Sequence, residues 1–246
     1  MYLETINSPA DVKKLSVEEM TALAAEMREA LIVRASRHMG HVGPDLGFIE
    51  ATVALHAVFS SPEDKIIYDI SHQTYPHKML TGRREAYTDP AHYDDVSAYS
   101  NPKESPHDFF ELGHTSVSID LALGMAKARD LLGGTEKVVA VIGDGSLSGG
   151  EALEGLNTAG EFKGQFLILV NDNQMSIAEN HGGLYASLKA LRESNGTSEN
   201  NLFRAMGLDY RYEAAGNDTG ALIRALNAVK DVDHPLVLHI NTLKGK

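Results

Sequence analysis

Two stretches of the chain are almost continuously apolar, and an amphipathic segment lies between them. The stretches read KVVAVIGD (residues 137–144) and QFLILVND (165–172), and residues 149–162 between them have helical spacing. Near-continuous apolar runs are typical of parallel strands that are covered on both faces. The three segments therefore predict a β-α-β unit.

The same alternation of apolar patterns continues on both sides of this unit. Ser16 and Glu19 form a capping box, which predicts that a helix begins there and runs to His38. Gly133 and Gly134 predict the end of another helix that covers residues 114–132. The remaining predicted elements are a turn over 39–47, helices over 46–59 and 218–230, and strands over 66–70, 209–214 and 235–242. Residues 82–112 are interpreted as a loop with one short helix, and residues 180–201 show no clear pattern.

Strands that alternate with helices predict the fold class. We expect an α/β fold with a doubly wound, mostly parallel sheet and helices on both faces, in a single domain over residues 1–246. Ligands of such sheets bind beyond the carboxyl ends of the strands. Three predicted strand ends carry polar residues, namely Asp144, the run 171–173 and the pair Ser71-His72. This edge of the sheet is therefore the candidate functional site.

Composition and charge restrict the possible partners. The 246 residues include 22 basic and 34 acidic side chains, so the formal net charge is −12. This charge argues against nucleic acid or an anionic membrane surface as the main partner. There is no cysteine, which excludes disulfides, thiolate metal ligands and a cysteine nucleophile. The first residues do not resemble a signal peptide and no apolar run is long enough to span a membrane, so we expect a soluble cytoplasmic protein.

Common nucleotide-binding and metal-binding motifs are missing from the chain. No G-x-G-x-x-G motif follows a strand and no G-x-x-x-x-G-K-[ST] motif occurs, which argues against a dinucleotide site and a P-loop. The segment NDNQMS (171–176) lacks the glycine and the final glutamate of a calcium-binding loop. A single Asp-Gly pair, such as Asp144-Gly145, is by itself most often only a turn.

Asp144 gains significance from its pairing with Asn173. The two residues are separated by a predicted crossover, so their side-chain oxygens are expected at adjacent strand ends. Oxygen ligands of this kind suit Mg²⁺, which takes its other ligands from phosphates and water. Gly143 and Gly145 allow a diphosphate to approach the backbone, and the helix N-terminus that follows favours an anion. The pattern therefore predicts a site for a metal ion and a diphosphate.

Five blocks of the sequence match the pattern of one known family: GHVGPDLGFIEATVALH (40–56), DISHQTYPHKMLTGRR (69–84), ELGHTSVSIDLALGMA (111–126), GDGSLSGGEALEGLNTAGEF (143–162) and ILVNDNQMSIAEN (168–180). With these blocks the chain resembles the 1-deoxy-D-xylulose-5-phosphate synthase family of the transketolase superfamily, in its N-terminal diphosphate-binding domain. GDG followed after about thirty residues by an asparagine at a strand end is the thiamine diphosphate motif of that superfamily. The part YPHKMLTGRR is the most specific, because ordinary transketolases differ there.

The resemblance implies a metal and cofactor site. It implies that Asp144, the Asn173 side chain and the Met175 carbonyl bind Mg²⁺. Asn173 would also contact the thiamine diphosphate, as would Gly145 and Ser146, which would line its diphosphate. Gly113, His114 and Thr115 would line the cofactor nearer its thiazolium or pyrimidine end.

Two further histidines acquire roles from the resemblance. His72 would contact the diphosphate or the reacting centre, and His41 would face the substrate channel and move protons. His56 is interpreted as a packed or capping histidine, and His77 receives no role. Asp172 is interpreted as a helix cap and is not assigned to the metal.

The implied reaction is the thiamine-dependent joining of two carbonyl compounds. The cofactor supplies a carbanion, and the protein binds and orients it. In the synthase family the donor is the 2-keto acid pyruvate and the acceptor is the aldehyde glyceraldehyde 3-phosphate. The alternative is a transketolase subunit or domain, which would move a two-carbon ketol unit from a ketose phosphate. A non-catalytic relative that retains the fold is a further alternative, which the presence of Asp144 and Asn173 disfavours.

The chain departs from the family pattern at three places. It lacks the pyrimidine-binding and C-terminal domains, its stretch from Asn180 to Asn201 is shorter than in the synthases, and it ends before a tyrosine that lines the cofactor. We therefore expect a truncated or processed piece, or one subunit of a split enzyme, that is inactive alone. A completing pyrimidine-binding domain in cis or in trans and a homodimer are the expected partners.

Overall fold

A computed structural model describes all residues from Met1 to Lys246 and contains one five-stranded parallel sheet. The strands are β1 (Lys65–Tyr68), β2 (Val138–Gly143), β3 (Phe166–Asp172), β4 (Asp209–Glu213) and β5 (Pro235–Asn241). Their order across the sheet is β1-β2-β3-β5-β4, and every neighbouring pair is parallel. All five predicted strands and the predicted parallel sheet are therefore confirmed.

Six helices of ten or more residues surround the sheet. They are α1 (Val17–Ala35), α2 (Ile49–Val58), α3 (Ser118–Leu132), α4 (Gly150–Ala159), α5 (Gly183–Glu193) and α6 (Thr219–Val229). Short helical segments cover Leu3–Thr5, Pro9–Val12, Gly43–Leu46, Tyr75–Lys78, Met79–Arg83, Glu85–Thr88, Pro90–His92, Asp144–Leu147 and Leu202–Ala205. None of the helices is both long enough and apolar enough to span a lipid bilayer.

The strands bury apolar side chains on both faces, as their continuous apolar pattern predicts. Ala140 and Ile142 of β2 belong to a core on the face covered by α3, α4 and α5. Val139 and Val141 belong to a second core on the opposite face, which α2 and α6 cover. A third apolar cluster joins α1 to the outer side of α2. The helices therefore lie on both faces of the sheet, as expected for a doubly wound fold.

Two helix boundaries that were predicted from neighbouring residues are found in the structure. The Ser16 hydroxyl accepts a hydrogen bond from the Glu19 amide at 3.2 Å, and the Glu19 carboxylate accepts one from the Ser16 amide at 2.7 Å. Gly133 ends α3 in a left-handed conformation with φ +72°, which glycine adopts without strain. Both predicted boundaries are confirmed.

The start of α3 differs from the prediction because a residue distant in sequence sets it. The buried carboxylate of Asp69, directly after β1, accepts hydrogen bonds from the amides of Ser116 (2.8 Å) and Ser118 (2.9 Å). These bonds satisfy amides at the helix N-terminus, which have no intrahelical acceptor. The helix therefore begins at Ser118, four residues later than predicted.

The loops contain more helix than the sequence analysis predicted. The helix α5 lies within the stretch 180–201, and its Leu184, Leu188 and Leu191 pack against the first core. The loop 82–112 contains two short helical segments, Glu85–Thr88 and Pro90–His92, where one was predicted. The predicted turn at 39–47 contains the segment Gly43–Leu46. The predicted helix 46–59 begins at Ile49.

Candidate metal and diphosphate site

Asp144 and Asn173 come together at the carboxyl edge of the sheet. Strands β2 and β3 pair in a register that places Gly143 opposite Asn171, so the residues after both strands are neighbours. Asp144, Asn173 and Met175 line one open cleft of about 610 Å³, together with residues of α5 and the segment before it. The cleft contains all three residues predicted to bind the metal.

The Asp144 carboxylate is buried and carries an unusual protonation equilibrium. It is only 2% exposed, and the Asn180 side-chain amide donates a hydrogen bond to it at 2.8 Å. Burial and the nearby Asp172 carboxylate raise the pKa of Asp144 to about 7. Two buried carboxylates this close favour the addition of positive charge. A divalent cation supplies that charge, so the donor set fits Mg²⁺.

Asp172 is fully buried beside Asp144 at the end of β3. Its Oδ2 accepts hydrogen bonds from His239 Nε2 at 3.0 Å and from the Arg192 guanidinium. Its Oδ1 accepts the Gln174 amide at 3.0 Å. Burial opposes ionisation of Asp172, but hydrogen bonds and charge from His239 and Arg192 outweigh it and lower the pKa of this carboxyl. The interpretation of Asp172 as a helix cap is wrong, because no helix begins directly after β3, and the Asp172 carboxylate closes a tight turn instead.

The turn after β3 carries the other two predicted ligands. Gln174 has a left-handed backbone with φ +66°, and the Asn173 side-chain oxygen accepts the Met175 amide at 3.2 Å. Met175 then forms an antiparallel bridge with Glu179. No group of three or more histidine and acidic side chains in the chain is arranged to hold a metal ion. A metal at this edge therefore needs amide and backbone oxygens, which Asn173 and Met175 offer.

The glycines around Asp144 do not all serve the same purpose. A Cβ atom at Gly145 would overlap the Ser176 hydroxyl, and one at Gly149 would overlap the Ser116 hydroxyl. A Cβ atom at Gly143 would meet no atom within 4 Å. The Ser146 carbonyl accepts a hydrogen bond from the Ser116 hydroxyl at 2.7 Å. Close packing within the protein therefore requires Gly145 and Gly149, while the space beside Gly143 is open to a ligand.

His41 and His72 form a pair of their own, and neither lines the cleft that contains Asp144 and Asn173. Their rings meet edge to face with centroids 5.6 Å apart, and His41 also contacts Tyr99 at 5.3 Å. The Nδ1 atom of each ring is buried without a hydrogen-bond partner. Burial lowers the pKa of His41, and burial with the charges of His41 and Lys244 lowers the pKa of His72 to about 4. Both rings are therefore neutral at pH 7 and offer a nitrogen to a ligand or a proton.

Gly113, His114 and Thr115 are exposed and do not line the cleft. The His114 Nδ1 atom lies 2.6 Å from the Thr115 carbonyl oxygen. The bond from the Ser116 amide to Asp69 tethers this loop to the end of β1. The structure thus places the loop at the carboxyl edge of the sheet but does not bring it into contact with Asp144 or Asn173.

Comparison with known proteins identifies the family. The model of the 1-deoxy-D-xylulose-5-phosphate synthase N-terminal region matches residues 3–199. The chain belongs to this family. The resemblance seen in the five sequence blocks is therefore confirmed.

Relatives within the family are about 40% identical to the chain. The 1-deoxy-D-xylulose-5-phosphate synthase of Chlorobium phaeovibrioides is 41% identical over 281 aligned residues, which cover 99% of this chain and 44% of the relative. The 1-deoxy-D-xylulose-5-phosphate synthase 1 of Geobacter metallireducens is 41% identical over 280 residues, with coverage of 99% and 45%. The chain thus spans less than half the length of these curated relatives. Both alignments also run over more positions than the 246 residues of the chain.

Solved structures confirm the fold of this family member. A transketolase from Leishmania mexicana superposes with a TM-score of 0.72 at 18% identity, and the match covers 94% of this chain and 37% of the transketolase. A transketolase from Campylobacter jejuni also gives a TM-score of 0.72, at 17% identity. The α/β fold predicted from the sequence is therefore the transketolase-type fold.

The sequence analysis of this synthase-family chain missed several residues of the site. Asn180, Arg192 and His239 all donate hydrogen bonds to buried carboxylates at the edge of the sheet. Two of them could have been noticed in the sequence, because Asn180 ends one of the five blocks and His239 is a lone polar residue in an apolar strand. Nothing in the sequence pointed to Arg192, because it belongs to a helix that was not predicted.

His56 and His77 also belong to a buried network that the sequence analysis did not predict. His56 Nε2 lies 2.9 Å from His77 Nδ1, and His77 Nε2 lies 3.1 Å from Asp108 Oδ1. Arg83 donates two hydrogen bonds of 2.8 Å to the Asp108 carboxylate. His56 is thus packed, as expected, and hydrogen-bonded in addition.

In the absence of metal ions, Asp144→Asn should stabilise the chain at neutral pH. Burial and Asp172 raise the pKa of Asp144 to about 7, whereas an unfolded chain has an ordinary aspartate there. The free energy of unfolding contributed by this group therefore decreases as pH rises from about 4 to about 7, by about 1–4 kcal/mol. Urea unfolding in EDTA at several pH values should show this decrease in the wild type only. An equal decrease in the wild type and in Asp144→Asn would contradict the raised pKa of Asp144.

Proposed function

We propose that this chain is the metal- and diphosphate-binding half of a thiamine diphosphate-dependent enzyme that joins pyruvate to glyceraldehyde 3-phosphate, with loss of CO₂. One observation carries the proposal: the buried Asp144 carboxylate and Asn173 meet at adjacent strand ends in one cleft. Membership of the synthase family supports the choice of substrates.

The residues at the sheet edge fit the proposed cofactor. Oxygens of Asp144, Asn173 and Met175 would hold Mg²⁺, and the backbone at Gly145 and Ser146 would lie against the diphosphate. Thiamine diphosphate, when bound, supplies the carbanion that attacks a 2-keto acid. His72 would orient the bound cofactor or reacting centre through its unpaired Nδ1 atom. The loop 113–115 is proposed as a further cofactor contact, on the basis of the resemblance alone.

His41 is proposed to move protons between the bound substrate and solvent. Its ring is half-buried, and burial lowers its pKa, so it is neutral at pH 7 and can accept a proton. Contact with Tyr99 on one side and His72 on the other restricts the orientation of the ring. These contacts set the imidazole of His41 against that of His72, which supports a shared role for the two rings.

The proposed enzyme needs further domains. The curated relatives are more than twice as long as the matched region, which supports a completing domain, supplied in cis or in trans, that binds the pyrimidine of the cofactor. The chain alone is proposed to be inactive, because it would hold only half of the cofactor. Homodimeric assembly and a cytoplasmic location stay predictions of the sequence.

Release of CO₂ from carboxyl-labelled pyruvate tests the proposed function. The chain combined with the completing domains should release CO₂ in the presence of glyceraldehyde 3-phosphate, thiamine diphosphate and Mg²⁺. Residues 1–246 alone should release none. Turnover of a ketose phosphate without CO₂ release would instead establish the transketolase alternative. CO₂ release by residues 1–246 alone would contradict the proposed need for a second domain.

A further inference from the structure

Asp172 is the centre of a buried cluster that the proposed reaction does not use directly. The cluster joins β3 to two distant elements, because Arg192 comes from α5 and His239 comes from β5. His239 and Asp172 are fully buried, and the Tyr210 hydroxyl lies 2.8 Å from His239 Nδ1. We name Asp172, Arg192, His239 and Tyr210 the Asp172 cluster.

Hydrogen bonds within the chain engage both oxygens of the Asp172 carboxylate. Oδ2 accepts from both His239 and Arg192, and Oδ1 accepts the Gln174 amide. His239 donates from Nε2 to Asp172, and its Nδ1 lies 2.8 Å from the Tyr210 hydroxyl, so both ring nitrogens have a partner. Asp172 is therefore held as an acceptor, with one oxygen directed at the turn that follows β3.

This turn is the link between the cluster and the proposed metal site. The bond from the Gln174 amide to Asp172 spans Asn173 and closes the turn in which Gln174 adopts its left-handed conformation. A non-glycine residue in that region costs free energy, which the surrounding bonds must offset. Asn173 and Met175, two of the three proposed metal ligands, lie on either side of Gln174. The orientation of both therefore depends on where Asp172 is held.

We propose that Arg192 and His239 are positioning residues for the metal site: they fix Asp172, and Asp172 fixes the turn that presents Asn173 and Met175 to the metal. This inference rests on the proposed function, because it assumes a metal at Asp144 and Asn173. It gives Arg192 of α5 a role in metal affinity that acts through Asp172. Loss of a residue that hydrogen-bonds to a metal ligand typically lowers metal affinity by about 10–100-fold.

Binding of Mn²⁺ alone to the full chain, followed by electron paramagnetic resonance of free Mn²⁺, tests this role. Arg192→Met and His239→Leu remove a donor to Asp172 and should weaken Mn²⁺ binding by about tenfold or more. Arg192→Lys keeps the charge and His239→Gln keeps a donor at the position of Nε2, so both should restore part of the affinity. Arg204→Met, an exposed arginine on the segment Leu202–Ala205, makes the same charge change and should bind as the wild type.

Hydrogen exchange of the metal-free chain provides an independent measurement. The Gln174 amide should exchange faster in Arg192→Met than in the wild type, because its acceptor is no longer held. Tyr210→Phe removes only a hydroxyl and is the test variant if Arg192→Met does not fold. It should weaken Mn²⁺ binding and speed Gln174 exchange, in both cases by less than Arg192→Met does.

The outcomes separate this inference from the proposed function. The positioning role would be overturned if folded Arg192→Met binds Mn²⁺ with wild-type affinity and its Gln174 amide exchanges at the wild-type rate. If Arg192→Met does not fold, the same two results in Tyr210→Phe would overturn it. Equal losses of affinity in Arg192→Lys and Arg192→Met would also overturn it, since a general structural effect does not depend on the retained charge. If the wild type binds no Mn²⁺, the proposed function fails, while Gln174 exchange still decides whether the Asp172 cluster holds the turn.

Discussion

Asp144→Ala should abolish Mg²⁺-dependent binding of thiamine diphosphate by the chain combined with its completing domain. The substitution removes the only carboxylate proposed to bind the metal. The affinity for thiamine diphosphate in the presence of Mg²⁺ should therefore decrease by more than the roughly 100-fold that is lost when a residue hydrogen-bonded to a metal ligand is removed. Calorimetric titration with thiamine diphosphate, with and without Mg²⁺, measures the effect. The variant should remain folded, because it removes a buried carboxylate whose pKa is raised to about 7 by burial and by Asp172.

A matched control separates the site from the overall charge. Asp231→Ala removes one exposed carboxylate that pairs with Lys137, and it should bind thiamine diphosphate as the wild type does. If Asp144→Ala binds the cofactor with unchanged affinity and unchanged dependence on Mg²⁺, the metal site has been placed wrongly.

Asp108→Ala should destabilise the chain by about 3–5 kcal/mol, the range observed when one partner of a buried ion pair is removed. Asp108 is 4% exposed, and Arg83 and His77 both bond to it. Hydrogen bonds and charge from these two groups outweigh burial and lower the pKa of Asp108, so its charge stabilises the folded state at neutral pH. Without it, the Arg83 guanidinium keeps its buried position and loses its best acceptor.

Urea unfolding at pH 7 measures the loss of stability in Asp108→Ala. Asp94→Ala is the control, because Asp94 also pairs with a histidine, His38, but its side chain is 93% exposed. The control should change the free energy of unfolding by less than about 1 kcal/mol. A similarly small change in Asp108→Ala would refute the view that this network stabilises the fold.

The network around Asp108 also connects the fold to the site. The Asn101 amide donates to Asp108 at 2.8 Å, and the adjacent Ser100 amide donates to the Ser71 hydroxyl at 2.9 Å. These bonds hold the chain next to Tyr99, whose ring contacts His41. Loss of Asp108 should therefore loosen the surroundings of the histidine pair as well as the core. The specific block YPHKMLTGRR contributes His77 and Arg83 to this network.

Sequence patterns predicted the strands, the parallel sheet and two helix boundaries correctly wherever the signal was local. The apolar runs before Asp144 and Asn173 mark strands covered on both faces, and parallel pairing then brings the two strand ends together. The capping box at Ser16 and the stop at Gly133 depend only on residues within one turn of helix. Such features depend on the backbone and on close neighbours, so the amino-acid sequence determined them by itself.

Other parts of the site were decided only by the tertiary structure. Asp69 sets the start of α3 from 49 positions away, and Asp172 takes its partners from 20 and 67 positions away. A buried carboxylate must be paired, but its sequence neighbourhood does not specify which distant cation or donor will reach it. The pairing follows from the order β1-β2-β3-β5-β4, which sets β5 beside β3 and so brings His239 within reach of Asp172. The strand ends and their chemistry were therefore determined locally, while the partners that hold the buried charges were determined by the packing of the whole chain.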